Sequence, residues 1–269
     1  MRIALLQATG VVGATQENRE TLEGAARTAA DGGAELLLTP ELFLSGYDPL
    51  RVQQDDGAKH RDWIAGIAAA AGIHIAASTV EHASDGTYIC ASIFDRTGQE
   101  LTRYRKQHLF GTAETEVFWP GTAQPDLVGI GEFTAALGIC FDVEFPEFAR
   151  EQALRGADLL LIPTAVPLRT SLNGVAHPLD TRIVSTVLVP ARALESQLFV
   201  AYANHAGPGF SGTSTVADPY GRRITTAGDA GPELLFADLD HTLVNRARSD
   251  VGYLSHFNQQ TLQISQEMP

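Results

Sequence analysis

Along this chain short apolar runs alternate with amphipathic stretches. Residues 2–9, RIALLQAT, read as a strand. Residues 15–33, TQENRETLEGAARTAADGG, carry apolar positions at helical spacing, with Thr15 as the N-cap and a glycine stop. The nearly unbroken apolar run of 34–41, AELLLTPE, suits a strand covered on both faces. A second helix is expected over 58–71. Residues 73–82 and 87–98 alternate with period 2 around the turn Ser84-Asp85-Gly86, which predicts a hairpin, and 100–106 continues it. A further strand is expected over 133–140. A helix then opens at Pro146, with Glu147 suiting its positive end. Residues 157–165 form another buried strand. Residues 184–197 are helical, with Pro190 at a start or kink. Strands over 198–207, 212–225 and 233–240 complete the set. The order predicts one α/β domain over 1–269, and its hairpins require a mixed sheet.

Composition narrows the partners. A chain of 269 residues, 44% apolar and 19% charged, can bury a sizeable core. Its formal charge of −13 argues against nucleic acid and acidic membranes, both of which need a basic face. No secretory leader is expected, because Met1 leads straight into the first strand, and no spanning segment, because the alanine-rich 64–78 is short and broken by Gly72. Two cysteines 50 positions apart make neither a disulfide framework nor a metal cluster, and a reducing cytoplasm is the expected compartment. The histidines lack ligand spacing, so no metal is expected. Gly207–Gly212 has the spacing of a dinucleotide loop, but a strand follows where a helix is needed, so no nucleotide cofactor is expected either.

The chemistry concentrates in three places. Cys140 stands where an apolar strand gives way to a turn and a helix. By itself a cysteine there is commonly a small buried hydrophobe. Close to a helix N-terminus, however, a thiol would gain a lowered pKa, and the N–H of Phe141 could face an oxyanion. Cys90, inside an alternating strand, has nothing comparable. Glu41 follows a buried strand and is flanked by LLL and LFL, which would draw its carboxylate inward towards a partner. Lys106 ends a strand in YRKQHLF, beside His108 and ahead of Glu114 and Glu116. Trp119, before Pro120-Gly121, reads as a packed turn residue or a pocket wall.

Together these residues resemble the nitrilase superfamily of carbon–nitrogen hydrolases, whose members carry a glutamate, a lysine and a cysteine in this order. Here they are Glu41 in TPELFLSGY, Lys106 in YRKQHLF and Cys140 in LGICFDVEFPE, and the likeness runs on through 153–165, 191–207 and 212–222. The resemblance implies a four-layer α-β-β-α sandwich of two stacked mixed sheets. It implies an amidase that releases acid and ammonia through a cysteine thioester, with Cys140 as nucleophile, Glu41 as base, and Lys106 and the Phe141 N–H as oxyanion donors. The family's second glutamate is Glu114, with Phe118 and Gly121 at the family's spacing, and Glu116 is the less fitting choice. Tyr47 and Thr164 are the further substrate-binding positions it suggests. Phe141-Asp142 after the cysteine is unlike the Trp-Glu of nitrilases. An N-carbamoyl amidohydrolase, for which Arg169 or Arg182 could hold a carboxylate, stays open, as does a non-catalytic binding protein on the same fold. The segment 166–183, where members shape their substrate site, matches no one subgroup. The resemblance further implies a homodimer or higher homo-oligomer joined through the helices near Cys140 and 191–197, with the tail from about 253 reaching a partner.

Overall fold

The computed structural model describes residues 1–169, 171–172, 175–176 and 178–257. Two six-stranded sheets lie face to face. The first has the order β14-β1-β2-β3-β4-β5, from Glu233–Asp238 (β14), Arg2–Gln7 (β1), Leu36–Leu38 (β2), His74–Ala83 (β3), Gly86–Phe94 (β4) and Glu100–Arg105 (β5). The second has the order β13-β12-β11-β8-β7-β6, from Arg223–Thr226 (β13), Thr215–Ala217 (β12), Phe199–Asn204 (β11), Leu159–Thr164 (β8), Phe133–Leu137 (β7) and Val128–Ile130 (β6). Both sheets are mixed. In the first, β1, β2 and β3 run parallel while β3-β4-β5 form antiparallel hairpins. In the second, β7, β8 and β11 run parallel. A two-stranded ribbon, Ser171–Leu172 (β9) with Val175–Ala176 (β10), stands apart.

Helices Thr15–Asp31 (α1) and Gly57–Ala71 (α3) cover the first sheet, and Pro146–Leu154 (α5) and Val189–Ser196 (α6) cover the second. This is the four-layer sandwich. The run Leu36, Leu37, Leu38 shows why it forms. Leu36 and Leu38 enter the core between the sheets, while Leu37 packs beneath the helices with Leu22 and Ile64. A strand with two buried faces needs apolar residues on both. The same cover corrects the expected alternation of the first hairpin: β3 is buried without a break from His74 to Val80, and β4 from Tyr88 to Phe94. The polar residues buried there are His74, Ser78, Thr79 and Ser92, most of them small enough to bury readily.

Thr15 is not the cap of α1. Ala14 holds that position, with no side-chain hydrogen bond. Asn18 ties the start of the helix down instead. Its Oδ1 accepts from Val11 N at 2.9 Å, and its Nδ2 donates to Val11 O at 2.8 Å and Leu44 O at 3.0 Å. Pro190 falls where a π turn, Val184–Leu188, passes into α6. The wider turn accommodates a residue that lacks an N–H. Pro146 opens α5 at its first position, with Glu147 in the first turn. Of the tail from about 253, residues 258–269 lie outside the described residues.

Candidate active site

Three elements deliver the carboxylates and the lysine to one end of the sandwich. Glu41 follows β2, and its peptide is clamped from the opposite sheet. Its N–H donates to Thr164 O at 3.1 Å, and its carbonyl accepts from His205 Nε2 at 2.6 Å. The next residue, Leu42, is left-handed at φ 49°. That conformation is uncommon for a branched side chain and persists only where surrounding contacts hold it. Lys106 continues β5, its N–H bonded to Ile89 O at 2.9 Å. Its carbonyl accepts from Gly121 N at 2.7 Å, an approach that requires glycine, since a Cβ at 121 would lie 2.3 Å from Arg105 O. Glu114 comes from the short helix Gly111–Thr115 (α4), which follows Pro49–Val52 (α2) in chain order.

Lys106 Nζ donates at 2.7 Å to Glu41 Oε1 and at 2.7 Å to Glu114 Oε1, and all three side chains are fully buried. Glu114 has both oxygens hydrogen-bonded. Tyr47 OH donates to Oε1 at 2.6 Å and Phe110 N to Oε2 at 2.7 Å. Glu116 is exposed. Glu41 differs, because its Oε2 has no hydrogen-bond partner among the described residues. Burial outweighs the neighbouring Lys106 ammonium and pushes the Glu41 carboxyl up to about 7, against a smaller downward pull from the neighbouring Cys140 thiol. Lys106 is itself desolvated, but the charges of Glu41 and Glu114 hold it firmly protonated.

Cys140 sits at φ 47°, the first residue of the 3₁₀ turn Cys140–Glu144 beyond β7. The first helical bond is from Asp142 N to Ile139 O at 3.0 Å, which leaves the Phe141 N–H ahead of the pattern and without a helical partner. The thiol is not lowered as its place before a helix suggested. Burial first, and then the charge of Glu41, push it well up, against the pull of Lys106 and the Ala165 N–H. A neutral thiol beside a carboxylate with a free oxygen is therefore the resting pair.

Several residues support the site in ways the sequence did not signal. Asp142 ties the Cys140 turn to the Lys106 strand. Its Oδ2 accepts from Ile139 N and Tyr104 OH, each at 2.9 Å, and its Oδ1 accepts from His108 N at 3.0 Å and faces His108 Nδ1 at 2.7 Å. His108 stacks on Phe145 at 3.9 Å, so it supports the turn and is not a base for the thiol. His205 accepts from Gly10 N at Nδ1, 3.2 Å, which makes Nε2 the protonated nitrogen that donates to Glu41 O. Burial holds this ring neutral, lowering it to about 4. Phe210, inside the glycine-spaced 207–212 segment, stacks on His205 at 4.8 Å and meets Tyr47 edge-on at 6.3 Å. That loop leads into β12.

Beside Cys140 opens a cavity of about 110 Å³, lined among others by Phe110, Glu144, Val166, Arg169 and Leu188. It is small and mostly apolar, well below the roughly 300–1,000 Å³ of drug-sized sites. Thr164 does not open onto it. Its hydroxyl donates to Ile162 O at 3.1 Å, and it supports Glu41 through its carbonyl. Arg182 is engaged by Asp180 and Asp229, which leaves Arg169 as the one of the two arginines at the cavity. Trp119 is neither packed in nor near the site. It is 62% exposed and lies over Gly86. No group of three or more His, Cys, Asp or Glu that could hold a metal occurs among the described residues.

A family model described as carbon-nitrogen hydrolase matches residues 2–249. The "Hydrolase in pqqF 5'region" of Pseudomonas protegens is 38% identical over 267 residues, which cover 95% of this chain and 88% of that protein. Two solved structures of an amidase from Nesterenkonia sp. AN1 share the fold at 35% identity and a TM-score of 0.81. One, a glutamate-to-glutamine mutant with the acetamide moiety of fluoroacetamide added covalently at the active-site cysteine, aligns over 96% of each chain. The other, a cysteine-to-alanine mutant in complex with butyramide, covers 94% of this chain and 95% of its own.

Proposed function

The chain belongs to the carbon–nitrogen hydrolase family, and we propose that Cys140, Glu41, Lys106 and Glu114 make it a thiol amidase that hydrolyses small linear amides. The observation that carries this reading is the unequal pair of glutamates on one lysine: Glu114 has both oxygens hydrogen-bonded, while Glu41 keeps one oxygen free beside the thiol.

The thiol proton passes to Glu41 Oε2 as sulfur bonds to the amide carbon. The carbonyl electron pair moves to oxygen, where Lys106 Nζ and the Phe141 N–H receive it. Each such donor is worth about 3–4 kcal/mol in the transition state. The tetrahedral adduct collapses, the C–N bond breaks, and Glu41 gives its proton to the departing nitrogen, which leaves as ammonia. Water then adds to the thioester and loses a proton to Glu41. The C–S bond breaks, the carboxylic acid leaves and the proton returns to sulfur. A base of pKa about 7 is matched to both halves at neutral pH, since it must accept and return a proton in each. Glu114, fixed by Tyr47 and Phe110, positions the Lys106 ammonium.

The small apolar cavity and the neighbours' amide ligands support short acyl groups. We place the protein in the cytoplasm on the strength of its two unpaired cysteines. We also read it as a homo-oligomer. The apolar Val187 and Leu194, 51% and 37% exposed, support a contact through the helical segment that carries them, and light scattering tests it. Ammonia release from a panel of short amides, with intact-protein mass spectrometry, tests the chemistry. Wild type should release ammonia and carry one acyl group during turnover, and Cys140→Ala should do neither. Turnover by that variant would remove Cys140 as the nucleophile.

A further inference from the structure

The reaction cavity contains one carboxylate that the amidase chemistry leaves unused. Glu144 ends the 3₁₀ turn that Cys140 begins, and both residues line the cavity. Its side chain forms no hydrogen bond or ion pair among the described residues. Among the described residues, the nearby Lys106 and Arg192 are bonded to other partners, while Arg169 shares the cavity and stacks on one of its aromatic rings. Lys106 holds Glu41 and Glu114. Arg192 donates to the carbonyls of Val143 and Glu144 and pairs with Glu195. The Arg169 guanidinium lies 5.3 Å over the Phe110 ring. Burial raises the Glu144 carboxyl despite Arg192, Arg169 and Lys106. A half-buried carboxylate in a largely apolar cavity is costly without a partner, and a ligand can supply one.

We infer that Glu144 is a subsite for a substrate ammonium group, so that the preferred substrates are amides carrying a cationic amine close to the scissile carbonyl. This rests on the amidase reading above. The spacing sets the reach. Four residues along a 3₁₀ turn advance about 8 Å, and a long glutamate side chain folding back towards a short cysteine closes most of that gap. An amine on the α, β or γ carbon then lies between them, and a cavity of about 110 Å³ admits an acyl group of that size. The interaction is charge-assisted and partly shielded from water, which makes it stronger than an exposed ion pair.

β-Alaninamide and butyramide give the test, since they differ only by an ammonium in place of a methyl. Wild type should favour β-alaninamide in kcat/KM, and Glu144→Gln should reduce the β-alaninamide-to-butyramide ratio at least tenfold. A wild-type preference for butyramide overturns the inference without any variant being needed, and so does an unchanged ratio in a folded Glu144→Gln protein. Hydrolysis of neither compound, nor of any other short amide, overturns the amidase reading and this inference with it. Hydrolysis of butyramide alone overturns only the ammonium subsite.

Discussion

Cys90 and Cys140 are both buried thiols with a glutamate beside them, and the two pairs are built in opposite senses. Cys90 Sγ donates to Glu81 Oε2 at 3.0 Å. Glu81 also meets Arg103 at 2.9 Å and Arg105 at 2.7 Å. Burial works to raise the Glu81 carboxyl, but Arg105, the Cys90 thiol and Arg103 together outweigh it and hold it at about 2. Glu41 shares its one lysine with a second carboxylate and stands at about 7. Burial raises both thiols, so thiol acidity does not tell the pairs apart. The carboxylate does. A group with a pKa near 2 cannot take a proton at neutral pH, and one near 7 can take it and give it back. Backbone and access agree with this. Cys140 is left-handed and opens on the cavity, whereas Cys90 lies within β4, its N–H and carbonyl committed to the sheet.

The strongest way to break the comparison is to neutralise each carboxylate. Glu41→Gln should lower kcat/KM for a short amide by about 10²–10⁴-fold, the range for loss of a general base. Glu81→Gln should stay within about threefold of wild type. Comparable losses in both variants would mean that activity follows fold integrity and not the base.

A second effect is chemical selectivity between the thiols. Iodoacetamide, itself a small amide, should alkylate Cys140 about a hundredfold faster than Cys90, as read by peptide mass spectrometry. The rate should rise with pH through about 7 as Glu41 becomes available to take the thiol proton. The same group gives kcat/KM an acid limb that falls about tenfold per pH unit below 7. A flat profile from pH 5 to 8 would exclude Glu41 as the base.

Smaller in size, but opposite in sign, is the dependence of stability on pH. Glu41 has a folded pKa above its unfolded value of 4.5, so its contribution is fully present below 4.5 and is lost as pH rises through about 7. Glu81 has a folded pKa below 4.5, so its contribution is present above 4.5 and is lost as pH falls through about 2. Wild type should therefore lose thermal stability relative to Glu41→Gln between pH 5 and 8. Relative to Glu81→Gln it should lose stability on acidification. Parallel pH trends in the two comparisons would show that the carboxylates do not differ as described.

These contrasts also mark how far the sequence could be read. Glu41, Lys106 and Cys140 each follow a strand, but what singled them out was the order and flanking motifs in which they resemble the nitrilase superfamily, and strand order in an α/β sandwich then brings such ends together. The clamp on Glu41 was not visible, since His205 lies 164 positions away and nothing local to either residue points to the other. Asp142 was read only as a departure from nitrilases, because its four contacts come from Tyr104, His108 and its own turn. The left-handed Leu42 and Cys140 have no compositional trace, since neither is glycine, asparagine or aspartate. Glu81 was invisible for another reason. Its role depends on Arg103 and Arg105 standing across the sheet on β5, and cross-strand partners follow from register, not from nearness in sequence. The thiol's pKa was misread because proximity to a helix start counted for less than burial.

The smallest expected effect isolates Cys90 itself. Cys90→Ala removes one weak sulfur donor and leaves a space smaller than a methylene chain, while Glu81 keeps both arginines. Loss of a small buried group of this kind costs about 1 kcal/mol. That corresponds to about 2–4 °C in thermal midpoint for a domain of this size. Amide hydrolysis should be unchanged, because β4 keeps its register and Lys106 N remains bonded to Ile89 O. A large loss of activity at full folding would show that the Cys90–Glu81 pair reaches the lysine strand through β5, and the two thiol–carboxylate pairs would then be coupled parts of one site.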